Sequence, residues 1–498
     1  MNLNELNITE ANQGLRKKEF SSLELAKACL ERIKATDEKI KSFITVTSDL
    51  ALEQARSADK RIKAGEVKEN LLLGIPCSIK DIILTKNVLT TAASNILKNY
   101  IPPYDATLIK KLKERGMVMV GKVNCDAFAH GASTEHSDFF VSHNPWDLER
   151  VPGGSSGGSA SSVSADQCIY SIGTDTGGSI RQPASFCNLV GLKPTYGRIS
   201  RFGLISMTSS TDCPSIMTKN VSDAAIILKE IAGKDEFDST SSEAKVDDYS
   251  KAIGEKSLKG LKIGIPKEYF LKELNSDIKK ALDEAIEKLA KLGAEIVQIS
   301  LPHTEYAVPT YYIITPSEVS SNLARFDGIK YGYSEIHDPK YAVHNLLDIY
   351  MKSRGKGFGK EAKRRIMLGT YALSSGYYDA YYLKAQKVRA LIKKDFDVAF
   401  GSVDAIVTPT APGVAFKIGE HSSNPLELYM EDIFLSAPSL AGVPAMSIPC
   451  GFAKPKDGNV EMPIGMQIIG RPFEEKKILS IANNFERNTS WHERKPSI

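Results

Sequence analysis

The sequence predicts an α/β fold in which helices bury one large β-sheet on both faces. Two observations support this prediction. From residue 71 onward, short apolar runs alternate with helix-like stretches, as is typical of strands that are covered on both sides. Such runs also recur on both sides of a long helix-like segment, Tyr306–Lys394. We therefore expect one sheet with inserted helices rather than separate domains.

The first elements are predicted to be helices. Ser21 and Glu24 have capping-box spacing, which predicts a helix over Leu23–Ile33, and Ser48–Lys63 has the pattern of another. The apolar runs that follow predict strands at Leu71–Ile75, Val118–Gly121 and Ile169–Ile172, with a helix at Ala106–Arg115.

The second half of the sequence predicts a βαβ unit. Leu261–Ile265 and Ile296–Ile299 resemble strands, and the apolar residues between 278 and 292 recur at helical spacing before Gly293. Further buried strands are predicted at Ala405–Thr408, Ala445–Pro449 and Met466–Ile469.

The 498 residues would allow about three domains by length alone, but we expect a single domain. Its predicted parts are the N-terminal helices (1–66), a core with the glycine-rich motifs (67–232), an exposed polar excursion (233–259), the rest of the sheet with a helical insertion (260–487) and a polar tail (488–498).

Composition excludes several classes of protein. Hydrophobic residues make up 42% and charged residues 25%, and basic residues exceed acidic ones by only four, so neither disorder nor a dedicated nucleic-acid domain is indicated. The polar N-terminus lacks the apolar core of a signal peptide, and no run suffices for a membrane span. We expect a soluble cytoplasmic protein without membrane contacts.

Seven cysteines lie far apart with no Cys-x-x-Cys pair. This odd number suits neither a disulfide framework nor a metal site, so we expect no metal and interpret the cysteines as small buried apolar residues. A catalytic cysteine stays an alternative.

Two glycine- and serine-rich segments, 152–159 and 173–183, stand out. Clustered glycines let main-chain N–H groups approach a ligand closely. A flexible linker is an alternative, although helix-like and strand-like flanks disfavour it. A nucleotide cradle is another, but the P-loop and dinucleotide-binding spacings are missing.

The stretch Gly153–Gly157 also satisfies Gly-x-Ser-x-Gly, the nucleophile elbow. The residues before it are loop-like rather than a strand. No histidine lies in a recognisable triad motif near the C-terminus, where His492, in the polar tail, comes closest. A Ser-His-Asp enzyme is therefore disfavoured. Lys80, in the segment 74–81, is another candidate base because burial can lower a lysine pKa. The alternative interpretation of Lys80 is a lysine at the end of a strand whose ammonium group reaches water.

Lys80, the two glycine-rich segments and the stretch Val190–Gly203 together resemble the amidase signature family in order and spacing. The resemblance covers nearly the whole chain. It implies the amidase signature fold, one large twisted mixed β-sheet covered by helices on both faces.

The resemblance implies that Ser179 is the nucleophile, Ser155 a bridging serine on a cis peptide and Lys80 the base. Such a relay suits a hydroxyl, which needs a proton acceptor within reach. It further implies oxyanion donors at Thr176, Gly177, Gly178 and Ser179, and structural roles for Asp175, Ser156 and Arg181.

Three later stretches, 321–328, 364–378 and 432–434, resemble a branch of the family, the glutaminase subunits of tRNA-dependent amidotransferases. That resemblance implies that Arg365 binds the α-carboxylate of glutamine and Asp432 its α-ammonium group, with Tyr312 beside the pocket. Arg364 is the competing carboxylate ligand, and a solvated basic helix face is the alternative to both.

The branch implies a heterotrimer with the B and C subunits of the amidotransferase, which would pass ammonia from glutamine to a mischarged tRNA. No cofactor is expected in this chain, while ATP and magnesium would act at a partner subunit. Two alternatives stay open: a stand-alone amidase for small or fatty amides, and a catalytically silent scaffold.

The chain departs from the family pattern at two places. Ser210–Ile216 keeps Asp212 but lacks a Gly-Pro turn, so another backbone path is expected there. His130 and Ala132 replace more typical residues in the loop expected to close over the substrate. Both departures put details of glutamine binding in question.

Overall fold

Strands from both halves of the chain join in one sheet. The computed structural model describes residues 2–254, 257–270, 274–337, 345–421 and 424–498. Within them, eleven strands form a mixed sheet in the order β1-β3-β2-β4-β6-β5-β10-β11-β9-β7-β8. The strands are β1 Phe43–Val46, β2 Pro76–Lys80, β3 Val118–Val123, β4 Tyr170–Thr174, β5 Val190–Lys193, β6 Pro214–Thr218, β7 Lys262–Pro266, β8 Glu295–Ile299, β9 Ala405–Pro409, β10 Ala445–Ala453 and β11 Met462–Gly470.

Helices cover the sheet. In chain order they are α1 Ile8–Lys17, α2 Ser22–Ile40, α3 Ser48–Lys63, α4 Thr107–Glu114, α5 Gly157–Ser164, α6 Arg181–Phe186, α7 Val221–Ile231, α8 Ser250–Gly254, α9 Ser276–Lys291, α10 Ala307–Asn322, α11 Leu346–Gly357, α12 Lys360–Ala372, α13 Lys384–Ala399, α14 Pro425–Met430, α15 Ser436–Ala441 and α16 Glu475–Glu486. A short π-helical turn, Asp379–Leu383, precedes α13.

The core lies on both faces of the sheet, because successive strand residues point to opposite sides. Val118 and Val120 of β3 pack with α2, α3 and α5, whereas Met119 between them packs into the cluster that contains α4 and α7. The predicted sheet with helices on both faces is confirmed.

Most predicted elements are present. Ser21 and Glu24 form the expected capping box at the start of α2, and the predicted βαβ unit is β7-α9-β8 with parallel strands. Of the helix-like segment 306–394, residues 338–344 lie outside the described part of the chain.

One expected strand was wrong. Leu71–Ile75 is no strand: residues 71–74 form a turn, Gly74 has a φ of +79°, and β2 begins at Pro76. Its apolar side chains signalled burial rather than extended backbone, since Leu72 and Leu73 are core residues. In the segment 233–259, most of the described residues are exposed or half-buried, while Asp235 and Tyr249 are buried.

Candidate active site

The candidate site lies where two neighbouring parallel strands end. β2 and β4 pair in parallel, with Ile79 opposite Ile172, so their carboxyl ends meet at one edge of the sheet. Lys80 is the last residue of β2 and Thr174 the last of β4. Both glycine-rich segments meet this edge, one after β4 and the other before α5.

Lys80 is fully buried and surrounded by hydroxyl groups. Its Nζ donates to Ser155 Oγ at 2.8 Å, Ser156 Oγ at 2.8 Å and Thr174 Oγ1 at 2.9 Å. Burial lowers the pKa of Lys80 to about 8, although acidic neighbours oppose the shift. The water-exposed strand-end lysine is therefore excluded, and the lowered pKa makes the neutral amine easier to reach near neutral pH.

The loop that carries Ser155 is held from several sides. The Gly154–Ser155 peptide is cis, as the resemblance implied. Gln182 accepts the Gly154 N–H at 3.1 Å, and the Thr134 hydroxyl donates to the Gly153 carbonyl at 2.8 Å. These contacts fix the serine beside Lys80.

Ser179 lies on the loop between β4 and α6 and is 7% exposed. Its carbonyl accepts the Ser156 N–H at 3.1 Å, which joins the two glycine-rich loops. Asp175 braces the same loop through a buried ion pair with Arg181, whose Nη2 lies 2.8 Å from Oδ1. Burial raises the pKa of Asp175, but Arg181 outweighs it, so the net shift is downward. The expected structural roles of both residues fit these contacts.

The four oxyanion donors that the resemblance implied are not equally free to act. The Gly178 N–H donates to Asp175 Oδ1 at 2.9 Å, so its hydrogen already shapes the loop and Gly178 is the least suited of the four expected donors. The main-chain N–H groups of Thr176, Gly177 and Ser179 donate to no acceptor in the described part of the chain. These three groups stay candidates.

Tight packing determines the path of this loop. Gly178 has a φ of +139°, and a Cβ there would lie 2.5 Å from Leu435. A Cβ on Gly177 would likewise lie 2.5 Å from Tyr311 of α10. Two elements distant in sequence, α10 and the segment before α15, therefore pack directly on the nucleophile loop.

Those two elements also carry predicted substrate-binding residues. Tyr312 follows Tyr311 and donates its hydroxyl to Asp432 Oδ2 at 2.7 Å. Asp432 is nearly buried, and its carbonyl accepts the Leu435 N–H at 3.0 Å. Burial raises the pKa of Asp432 to about 7, although Tyr312 and Arg365 oppose the shift.

Arg365 of α12 meets the same aromatic pair. Its guanidinium carbon is 5.4 Å from the ring centre of Tyr312 and 5.7 Å from that of Tyr429, and these two rings stack at 3.8 Å. Its Nε donates to Glu361 at 2.8 Å. The terminal nitrogens of Arg365 donate to no described residue, so they are available to donate hydrogen bonds to a substrate carboxylate. Arg364 is 43% exposed and paired with Glu361.

The altered segment Ser210–Ile216 supports the nucleophile loop. Asp212 accepts the Thr176 hydroxyl at 2.8 Å, and the Cys213 carbonyl accepts the Asp175 N–H at 2.8 Å. Pro214 then starts β6, which pairs with β4. Burial raises the pKa of Asp212 to about 6. Ala132 joins a small apolar cluster, and His130 is fully buried.

Alternative nucleophiles and bases find little support in the geometry. All seven cysteines are buried without a disulfide, and burial raises the thiol pKa of Cys77 and Cys125 to about 12. No histidine of the described residues hydrogen-bonds Ser155 or Ser179.

Sequence reasoning missed several residues of this site. They are Thr174, Gln182, Tyr311, Glu361, Tyr429 and Leu435. Only Thr174 had a usable signal, because it is a hydroxyl residue at the end of a strand run inside a glycine-rich motif.

Comparison with known proteins identifies the family. The profile of the family described as Amidase matches residues 24–479. The chain belongs to the amidase family. The family predicted from the motifs is thereby confirmed, and with it the expected class of enzyme.

Relatives of this amidase cover its whole length. The A subunit of glutamyl-tRNA(Gln) amidotransferase from Geotalea daltonii is 54% identical over 498 residues, 100% of both chains. The protein of the same name from Carboxydothermus hydrogenoformans is 51% identical over 498 residues, also 100% of both.

Two solved structures share the fold. The A subunit of glutamyl-tRNA(Gln) amidotransferase from Thermotoga maritima has a TM-score of 0.79 and 41% identity, covering 98% of this chain and 96% of that chain. The peptide amidase from Stenotrophomonas maltophilia has a TM-score of 0.80 and 26% identity, covering 99% and 98%.

Within the described residues, no helix has the length and hydropathy needed to cross a membrane. No cluster of three His, Cys, Asp or Glu side chains there is placed to hold a metal ion.

Proposed function

We propose that this amidase hydrolyses glutamine to glutamate and ammonia, as the glutaminase component of a tRNA-dependent amidotransferase. One observation carries the proposal: the buried Arg365 and Asp432 contact the same tyrosine, and the terminal nitrogens of Arg365 donate to no described residue. The neighbouring Tyr311 packs on the loop of Ser179. Arg365 can bind an α-carboxylate and Asp432 an α-ammonium group. The names of the full-length relatives support the same substrate.

The first step forms a tetrahedral intermediate, from which the acyl-enzyme then arises. Ser179 Oγ attacks the side-chain amide carbon of glutamine, while its proton passes to Ser155 and the Ser155 proton passes to neutral Lys80. The N–H groups of Thr176, Gly177 and Ser179 would stabilise the oxyanion.

The relay then runs in reverse. Lys80 returns a proton through Ser155 to the amide nitrogen, the C–N bond breaks, and ammonia leaves a glutamyl ester on Ser179. Water attacks this ester with the same relay as base, and glutamate is released. One glutamine and one water thus give one glutamate and one ammonia.

Ammonia production is useful to an amidotransferase only if a partner consumes it. We propose B and C subunits as partners, which would complete a cytoplasmic heterotrimer and bind the mischarged tRNA, with ATP and magnesium used at a partner subunit. The chain itself would act as one amidase domain over residues 1–498, because strands from both halves share its sheet.

Co-purification from the host followed by a glutaminase assay tests the proposal. We expect the complex to release glutamate from glutamine, faster with mischarged tRNA and ATP, and to leave benzamide almost untouched. Partner-free turnover of benzamide would favour a stand-alone amidase. Equal labelling of the wild type and Ser179→Ala by a fluorophosphonate would indicate a silent scaffold.

A further inference from the structure

A loop at residues 126–138 connects the two halves of the candidate site. Near its middle, the main chain at Ser133 approaches Gly154, where a Cβ would lie 2.5 Å from the Ser133 nitrogen. At its end, Asp138 contacts Gly359, where a Cβ would lie 2.5 Å from Asp138 Oδ1. Gly359 directly precedes α12, the helix of Arg365. The loop therefore spans from the Ser155 segment to the predicted carboxylate site.

His130 lies in the middle of this loop and is fully buried. Neither ring nitrogen has a hydrogen-bond partner among the described residues. Burying a polar group without a partner is unfavourable, so an imidazole in this position calls for an explanation. The ring packs beside Phe128, with 6.1 Å between ring centres.

Burial and the positive charge of Arg365 both favour the neutral imidazole of His130. Burial lowers its pKa well below the usual value, and Arg365 acts in the same direction. His136 is held by the His130 carbonyl, 3.0 Å from its Nδ1. A neutral imidazole offers one N–H donor and one acceptor. Phe128 also packs on Phe358, two residues before α12, with 5.6 Å between ring centres, so the part of the loop that carries His130 adjoins the start of the Arg365 helix.

We propose that His130 donates its ring N–H to the substrate α-carboxylate, as a second ligand beside Arg365. This inference rests on the proposed function and assigns a specificity-determining residue within it. A carboxylate accepts about four hydrogen bonds, and the two terminal nitrogens of Arg365 can supply only part of them. His130 supplies a further donor without adding a second positive charge to the buried pocket.

Glutamine binding to the Ser179→Ala form of the full-length chain, in the complex in which it purifies, tests the inference by calorimetry. His130→Met, which lacks a donor, should weaken glutamine binding about tenfold, the effect of roughly one hydrogen bond to a charged group. His130→Gln, whose amide donates an N–H, should restore affinity to within about threefold. Neither change should alter glutaminamide binding by more than about twofold, because that ligand lacks the α-carboxylate.

Loss of affinity for both ligands, or equal loss in both variants, would assign His130 to packing and overturn the inference. Unchanged glutamine affinity in His130→Met would overturn it as well. In the Ser179-containing enzyme, His130→Met should raise KM about tenfold and change kcat less than twofold. Glutamine that binds but is not hydrolysed by the wild type would contradict the proposed function alone, whereas no glutamine binding at all would contradict both.

Discussion

Replacing Thr174 by valine removes one of the three hydroxyl groups that contact Lys80 Nζ, the one at 2.9 Å. The protonated lysine donates to all three hydroxyls. The neutral amine donates to two and accepts from one, which in the proposed relay is Ser155. The Ser156 hydroxyl already donates to the Thr174 carbonyl at 3.0 Å, so it can only accept from Lys80. Thr174 therefore stabilises the protonated form more than the neutral form.

The size of this effect follows from hydrogen-bond energies. A hydrogen bond to a charged group contributes about 1.5–3 kcal/mol and one between neutral groups about 0.5–1.5 kcal/mol. The difference of about 1 kcal/mol corresponds to roughly 0.7 pKa unit. Thr174→Val should therefore lower the pKa of Lys80 from about 8 by roughly half to one unit.

The assay is kcat/KM for glutamine across pH 6 to 10. In the wild type, activity should rise with pH and level off above about 8, because the base must be neutral. Thr174→Val should shift the rising part of this pH profile to lower pH and reduce the plateau value of kcat/KM by no more than about tenfold. Thr218→Val is the matched control, since its buried hydroxyl donates to Asn220 at the far end of β6. If the rise of kcat/KM in Thr174→Val stays at the wild-type pH or shifts to higher pH, this role of the Thr174 hydroxyl is ruled out.

Three further predictions concern binding and loop shape. Because burial raises the pKa of Asp432 to about 7, the KM for glutamine should rise as pH falls through 7, and Asp432→Asn should have a high KM that is insensitive to pH there. Arg365→Lys should raise that KM about 10- to 100-fold through loss of bidentate binding, whereas Arg364→Lys should change it less than about twofold. Gly178→Ala should lower stability by about 1–3 kcal/mol in thermal unfolding and abolish activity, because its φ is positive and Leu435 occupies the Cβ position; a stable, active variant would contradict this loop geometry.

The sequence predicted the parts of the fold that have strong local signals. The capping box at Ser21 specifies where α2 begins, although α2 runs to Ile40 rather than Ile33. The apolar period of α9 specifies a helix that ends before Gly293. Strands β1, β5 and β6 were missed because threonine, serine, glycine, lysine or proline interrupts their few apolar residues, and their pairing partners lie far away in sequence.

The site was predictable where a motif holds several residues at fixed spacing, as for Lys80, Ser155 and Ser179. Arg365 could be preferred over Arg364 only by resemblance, since burial against Tyr312 is a tertiary property. Gly178 was assigned as an oxyanion donor because sequence cannot show that Asp175 already accepts its N–H.

In the proposed chemistry, Ser179 carries the glutamyl group during turnover. Acid quenching of the enzyme during glutamine hydrolysis, followed by peptide mass spectrometry, measures this directly. We expect a glutamyl ester on the peptide that contains Ser179, and none in Ser179→Ala. A glutamyl adduct on Ser155 or on a cysteine of an active enzyme would contradict the assignment of Ser179 as the nucleophile.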